Sequence, residues 1–291
     1  MERGCESVPV SVVRSTGPRS HSPLPYRVSS PKYLLATVLA FGCILAPLQS
    51  GGADIADADA WVTALDTRST AGLGELLGRG VDPNIAAANG KTGLMLASQQ
   101  GETKLVEALI EAGADVNAVN DNGGTPLMYA AMVEDPEATE LLIGAGANVD
   151  ATAKLGWTAL LVAAVKGHGK PARALIEAGA DLNRQDAYGW TCLMRAVRGG
   201  HAEIVAMLLG AEGIRIDVVQ ETGSSALHIA AAGGHAQIAR MLARHGADID
   251  LRDMSGRTPS AVARGAGFND LAAALAGTSD AYASGAAAET K

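Results

Sequence analysis

Histidine is the side chain in this sequence best suited to metal binding or proton transfer, and three of the six histidines recur at an almost constant interval. His168, His201 and His235 each follow a glycine, at intervals of 33 and 34 residues. Ligands of one zinc ion lie about 2 Å from it. Residues on successive packed helices are separated by the distance between the helices, which is about 8–10 Å. We therefore predict that this row shares no metal ion.

The remaining reactive side chains form no recognisable catalytic set. The sequence contains no glycine-rich phosphate loop, no Cys-x-x-Cys and no Gly-x-Ser-x-Gly, and catalysis needs a nucleophile, a base and an orienting group together. Carboxylates such as Asp115 and Asp181 recur at corresponding positions, which indicates that they close loops. We predict no catalytic, cofactor or metal site, and therefore no enzyme.

The elements that would position these residues repeat along the chain. A Gly-x-Thr or Gly-x-Ser triplet is followed each time, except at the last copy, by a second mark of the type Gly-Ala-Asp-x-Asn, so that two marks stay in register. Such a period indicates a repeat architecture. The triplets stand at 90–92, 123–125, 156–158, 189–191, 223–225 and 256–258.

Each repeat contains two short helical patterns. In 158–181, Thr158 can cap a helix, apolar residues follow at helical spacing, and Gly167 provides a turn. A second helix begins near Pro171 and stops at Gly179. One helix pair cannot bury its apolar face, so neighbouring pairs must stack into a solenoid. The predicted fold class is all-α.

These residues resemble the ankyrin repeat, whose signature includes Thr-Pro-Leu-His-x-Ala and a later Gly-Ala-Asp-x-Asn. Residues 125–130 read TPLMYA, and 225–230 read SALHIA with the signature histidine at His228. The resemblance spans 57–277 and implies projecting hairpin loops beside a concave face. It also implies that His168, His201 and His235 form local hydrogen bonds in turns, and that Cys192, at the signature proline position, is inert packing.

The predicted organisation has capped ends. Trp61 is expected to pack inside the N-terminal cap. We predict a leader over 1–53, an N-terminal capping repeat over 54–87, repeats over 88–120, 121–153, 154–186, 187–220 and 221–253, a C-terminal capping repeat over 254–277, and a disordered tail over 278–291.

The candidate binding site is a set of residues that we name the tryptophan surface. In the family, the residue between the glycine and the threonine points towards the partner, and here Trp157 and Trp190 occupy it on adjacent repeats in a chain with only 3% aromatic residues. Exposed Trp, Tyr, Met and Arg are typical of interface cores. The alternative is that both rings only cover their own hairpins. The surface also comprises Leu155 and Tyr188 on the hairpins and Met132, Val133, Val165, Lys166 and Arg198 on the concave helices.

The charge of the chain disfavours nucleic acid and anionic membrane as partners. The net charge is −8, and five cations against two acids precede Asp54, which leaves −11 for the rest. Phosphate backbones are bound through clustered Lys and Arg. The expected partner is another protein, bound by a monomer.

The first 53 residues have the three-part build of a secretory signal. The apolar segment 33–48 follows Arg27 and Lys32 and precedes small residues, which predicts cleavage near Ala53 and a periplasmic or secreted protein. The alternatives are an uncleaved membrane anchor over 33–48, a later translation start near Val28, and an organelle transit peptide. Cys43 is a weak lipoprotein signal. Cleavage would leave Cys192 as the one cysteine, without a disulfide partner.

Three functions remain open from the sequence. The first is an exported, non-catalytic scaffold or regulator that binds a partner through its hairpins and concave face. The second is an accessory or chaperone-like factor for an exported enzyme. The third is an enzyme with an unrecognised site, which would need a closed pocket with converging titratable groups.

Overall fold

The computed structural model describes residues 55–286, with side chains up to 277. The predicted leader, with its signal segment 33–48, lies outside these residues. Fourteen α-helices and no strand occur in the described part, which confirms the all-α class. They are α1 Ile55–Asp66, α2 Thr70–Gly78, α3 Gly93–Gln100, α4 Thr103–Glu111, α5 Pro126–Ala130, α6 Glu137–Gly144, α7 Ala159–Lys166, α8 Gly169–Glu177, α9 Cys192–Gly199, α10 Ala202–Gly210, α11 Ala226–Ala232, α12 Ala236–Arg244, α13 Pro259–Gly265 and α14 Asn269–Ala286.

The helices form two stacked layers. From α3 onward, the first helix of each pair packs on the first helix of the next pair, and from α4 to α12 the second helices pack on one another. Leucines at equivalent positions are buried in both layers and belong to one continuous apolar core. They are Leu94, Leu127, Leu160, Leu193 and Leu227 in the first layer and Leu109, Leu142, Leu175, Leu208, Leu242 and Leu275 in the second.

Hydroxyl residues start the first helices from α3 onward. The Thr158 side chain accepts a hydrogen bond from the Leu161 N–H at 3.2 Å, and Thr92, Thr125, Thr191 and Thr258 cap their helices in the same way. Ser225 replaces threonine in the fifth repeat and forms a capping box with His228. The His228 Nε2 atom lies 3.0 Å from the Arg257 carbonyl oxygen, so this signature histidine also joins two repeats.

Glycine ends the second helix α8 as the sequence predicted. Gly179 has a φ of 83°, its N–H donates to the Ile176 carbonyl, and the Ala180 N–H donates to the Leu175 carbonyl. This is the Schellman arrangement, in which a left-handed residue satisfies the last carbonyls of a helix. Gly146 and Gly246 adopt the same left-handed conformation, with φ of 88° and 87°.

The two ends differ from the inner repeats. Trp61 is fully buried and its Nε1–H donates to the Ile85 carbonyl at 3.0 Å, which confirms its packing role in the N-terminal helix pair. At the other end, α14 continues to Ala286, so the predicted disordered tail is wrong for 278–286; residues 287–291 lie outside the described part. The physical reason is that alanine, abundant here, has the highest helix propensity.

The hairpin loops are joined into a ladder. Within the third hairpin, the Ala153 N–H donates to the Trp157 carbonyl at 2.8 Å; between the third and fourth hairpins, the Ala187 N–H donates to the Leu155 carbonyl at 2.9 Å. Equivalent bonds connect the neighbouring hairpins. The tip of each hairpin is therefore held at a fixed position relative to the next.

Candidate functional site

The histidine row joins neighbouring repeats. His168 Nδ1 lies 3.3 Å from the Ala131 carbonyl oxygen, and His201 Nε2 lies 3.4 Å from that of Val165. These contacts reach the preceding repeat, so the expectation of hydrogen bonds within each turn is wrong for these two residues. The reason is that the stacking places each ring against the turn of the repeat before it. Among the side chains described for 55–277, no three from His, Cys, Asp or Glu are grouped to hold a metal ion.

Cys192 is packed where the sequence placed it. Its side chain is buried and its Sγ lies 3.0 Å from the Leu182 carbonyl oxygen. Burial raises the pKa of the thiol to about 12. The thiolate, which is the nucleophilic form, is therefore scarce at neutral pH.

The recurring carboxylates Asp115 and Asp181 close loops as predicted. Each accepts a hydrogen bond at 2.9 Å from a backbone N–H two residues later, that of Asn117 and Asn183 respectively. The residue at that later position then bridges to the next repeat, as when Asn117 Oδ1 accepts from the Asn148 N–H at 2.7 Å. These polar side chains satisfy backbone donors between the repeats.

The two tryptophans of the tryptophan surface are brought together by a residue that the sequence analysis missed. Trp157 and Trp190 are both half-buried and pack against the core at one edge. The Arg195 Cζ lies 5.5 Å from the Trp157 ring centre and 4.7 Å from that of Trp190. Arg198 Cζ lies 5.2 Å from the Trp190 ring centre. Cation–π contacts of this kind hold the two rings and the two guanidinium groups together.

A buried carboxylate holds Arg195 in place. Arg195 forms an ion pair with Asp186, and the two side chains are only 14% and 1% exposed. The other carboxylate oxygen of Asp186 accepts the N–H groups of Tyr188 and Trp190, at 2.9 Å and 3.0 Å. Asp186 therefore holds both the backbone of the hairpin and the Arg195 guanidinium that contacts the two tryptophan rings.

Two other hairpins close the same turn without burying both members of an ion pair. Asp253 binds its own hairpin in the same way, but its partner Arg257 is 57% exposed. Hydrogen bonds from the Arg257 N–H and guanidinium hold the pKa of Asp253 below its ordinary range. In the third hairpin, Ala153 occupies the position of Asp186, and the buried Val162 on α7 occupies that of Arg195, so an apolar pair closes the same turn.

The hairpin tips carry exposed apolar side chains. Leu155 and Tyr188 are 54% and 48% exposed. Leu155 also has a φ of 61°, a left-handed conformation that favours glycine or asparagine and is strained for a branched apolar residue. An exposed leucine held in an unfavourable conformation is an outlier that points to function.

The predicted concave residues line the adjacent face. Met132, Val165 and Arg198 occupy equivalent positions on or just after α5, α7 and α9, which stack in that order. All three are exposed, as is Lys166, whereas Val133 is half-buried. In the first full repeat, Lys91 is equivalent to Trp157, and Gln99 is equivalent to Met132. The Lys91 ammonium donates to the Gln99 side chain at 2.6 Å, so the hairpin side chain reaches the concave helix position of its own repeat.

A groove of about 640 Å³ lies elsewhere, between the second helices α4 and α6. Ile110 and Leu141 contribute apolar side chains to it, and four glutamates also line it. It shares no residue with the tryptophan surface. None of the helices described between Ile55 and Ala286 is long and apolar enough to cross a membrane.

Comparison with known proteins agrees with the repeat geometry. The family model described as "Ankyrin repeats (3 copies)" matches residues 64–153 and 129–220, and "Ankyrin repeat" matches 222–254. The chain is 34% identical over 70 residues to mouse (Mus musculus) protein phosphatase 1 regulatory subunit 27, covering 24% of this chain and 46% of that protein.

Two further relatives are rice potassium channels. The match to potassium channel AKT3 of Oryza sativa subsp. japonica is 48% identical over 54 residues, and that to AKT1 of subsp. indica is 41% identical over 56 residues. Each covers 19% of this chain and 6% of the channel. The chain thus spans less than half the length of each of these relatives. The family matches together span most of the chain, and this chain therefore belongs to the ankyrin-repeat family.

Proposed function

We propose that this protein is an exported, non-catalytic binding module that engages one partner protein, as a monomer, through the tryptophan surface. The observation that carries the proposal is the rigid pair of rings, held by Arg195 and Asp186 and flanked by the exposed Leu155 and Tyr188. Binding hot spots are enriched in Trp, Tyr and Arg, and rings fixed before binding lose little entropy when a partner arrives.

The family and one relative support a regulatory form of this binding. Ankyrin repeats are protein-interaction scaffolds, and the mouse relative is named as a regulatory subunit of a phosphatase. We infer a comparable role here, in which the module holds or inhibits its partner.

The experiment that tests the proposal uses the strained leucine. Asparagine tolerates the left-handed conformation, and Asn122 occupies the equivalent tip one repeat earlier. We expect Leu155→Asn to raise the free energy of unfolding by up to about 1 kcal/mol while it weakens partner binding. Thermal melting and a pull-down with the purified chain measure the two quantities.

If Leu155 binds the partner, the variant should be more stable than the parent and should bind the partner more weakly. Asn122→Ala, at the equivalent tip outside the tryptophan surface, is the control and should leave binding unchanged. If Leu155→Asn raises stability and the partner is retained at full affinity, Leu155 is not part of the interface and the proposed surface loses its main support.

The export part of the proposal has its own measurement. Because the apolar segment 33–48 is followed by small residues at 50–53, we expect the mature protein to begin within a few residues of Asp54 and to lie outside the cytoplasm. Mass spectrometry of the protein from cell fractions determines its N-terminus. Intact Met1 on a cytosolic species would contradict export.

A further inference from the structure

The tryptophan surface is cationic in a protein that is acidic overall. In 151–167 and 186–200, which hold the third and fourth hairpins and their first helices, there are four cations and a single acid. That acid is Asp186, which is buried and paired with Arg195. The net charge of these two segments is therefore opposite in sign to the −8 of the chain. The four cations are Lys154, Lys166, Arg195 and Arg198.

Two of these cations are free to meet a ligand. Lys166 and Arg198 are exposed, and no ion pair among the side chains described for 55–277 involves either of them. Arg198 also lies 5.2 Å from the Trp190 ring centre. A guanidinium that stacks on an aromatic face keeps N–H donors along its edge, and these can bind a carboxylate with two hydrogen bonds.

We propose that the partner presents an acidic segment in which an Asp or Glu lies beside an apolar side chain. This inference rests on the proposed function. The carboxylate binds Arg198, with Lys166 adding charge, while the apolar side chain contacts Leu155, Trp157 and Val165. The hairpins on either side carry Asp121 and Glu221. Their negative charges repel the partner's Asp or Glu and so restrict it to the third and fourth hairpins.

The test selects binding peptides from a random library, so the natural partner does not have to be identified first. A phage library of random short peptides is panned on the 291-residue chain, and each enriched peptide is then measured on the Trp157→Ala, Trp190→Ala double variant. We expect the enriched peptides to carry Asp or Glu next to a large apolar residue. Their affinity should fall as the salt concentration rises, because salt screens exposed ion pairs.

A charge exchange then tests the role of Arg198. We expect Arg198→Glu to lower the affinity for the enriched peptides about tenfold or more. Synthetic peptides with Lys in place of the acid should bind that variant more tightly than they bind the parent. Arg173 is an exposed arginine on α8, and Arg173→Glu is the matched control. This variant should bind the acidic peptides and the Lys peptides with the same affinities as the parent does. Circular dichroism confirms that each variant is folded.

The outcomes separate the two proposals. Enriched peptides that need the tryptophans but lack acids, or that bind Arg198→Glu as well as the parent, overturn the acidic partner and leave the tryptophan surface standing. Peptides that bind the double tryptophan variant equally well overturn the proposed surface itself. Failure to enrich any peptide on the parent chain counts against the acidic segment.

Discussion

Substitution of Asp186 by alanine should lower the free energy of unfolding by about 3 kcal/mol or more, because breaking a buried ion pair strands the remaining charge. Arg195 would stay largely buried, with its guanidinium between two rings. The Tyr188 and Trp190 N–H groups would also lose their acceptor. Equilibrium unfolding in denaturant measures the loss.

Asp253→Ala is the matched control for this experiment. Asp253 accepts the same two backbone N–H bonds in its hairpin, but the Arg257 that pairs with it is mostly exposed. That cation can turn into water when its partner is removed, so we expect a clearly smaller loss of stability. Equal losses in the two variants would show that the buried charge of Arg195 contributes nothing beyond the turn.

A second variant separates the stranded charge from damage to the turn. The third hairpin is closed by Ala153 and Val162, which occupy the positions of Asp186 and Arg195. We therefore expect Asp186→Ala combined with Arg195→Val to recover much of the stability lost by Asp186→Ala alone, as is common when a buried ion pair is replaced by apolar residues. A double variant less stable than the single one would contradict this explanation.

The repeat pattern of the sequence was sufficient to predict the helix pairs. Each capping threonine and each left-handed glycine acts locally, through hydrogen bonds to residues within one turn of helix, so its position in the sequence fixes its role. The strict period also placed Trp157 and Trp190 on adjacent hairpins. Where the sequence departed from the period, as in the alanine-rich end of α14, helix propensity decided the structure and the prediction failed.

Arg195 shows why the site was predicted incompletely. Residues three apart on a helix share a face, so the choice of Arg198 could have drawn attention to Arg195. What the sequence does not show is that Asp186, nine residues earlier in the hairpin, turns inward to bind it. That contact depends on how the hairpin folds back over its helix, and the period alone does not encode it. The left-handed Leu155 was missed for the same reason, since neighbouring tips with other residues adopt ordinary conformations.

The largest expected effect on binding is that of removing both hairpin rings. Truncation of a hot-spot aromatic commonly costs about 2 kcal/mol or more of binding free energy, which is roughly a thirtyfold loss of affinity. We expect Trp157→Ala with Trp190→Ala to lose at least that much affinity for the partner. Titration of the purified partner, followed by calorimetry or fluorescence anisotropy, measures the change.

The rings also contribute to the fold, and the experiment must separate the two roles. Both are half-buried and contact Arg195, so the double variant should melt at a lower temperature than the parent while remaining folded at the temperature of the binding assay. Met254→Ala and Val119→Ala remove exposed apolar side chains outside the tryptophan surface and should leave affinity unchanged.

The combination of melting and binding then distinguishes the two explanations of why tryptophan stands on adjacent hairpins. A folded double variant that loses the partner, beside controls that retain it, means that the rings are an interface held in place by Arg195. A double variant that is unfolded under assay conditions means that the rings mainly cover their own hairpins, which was the alternative left open by the sequence. If the double variant folds and binds as the parent does, the partner lies elsewhere on the repeat stack, and the groove between α4 and α6 becomes the next surface to substitute.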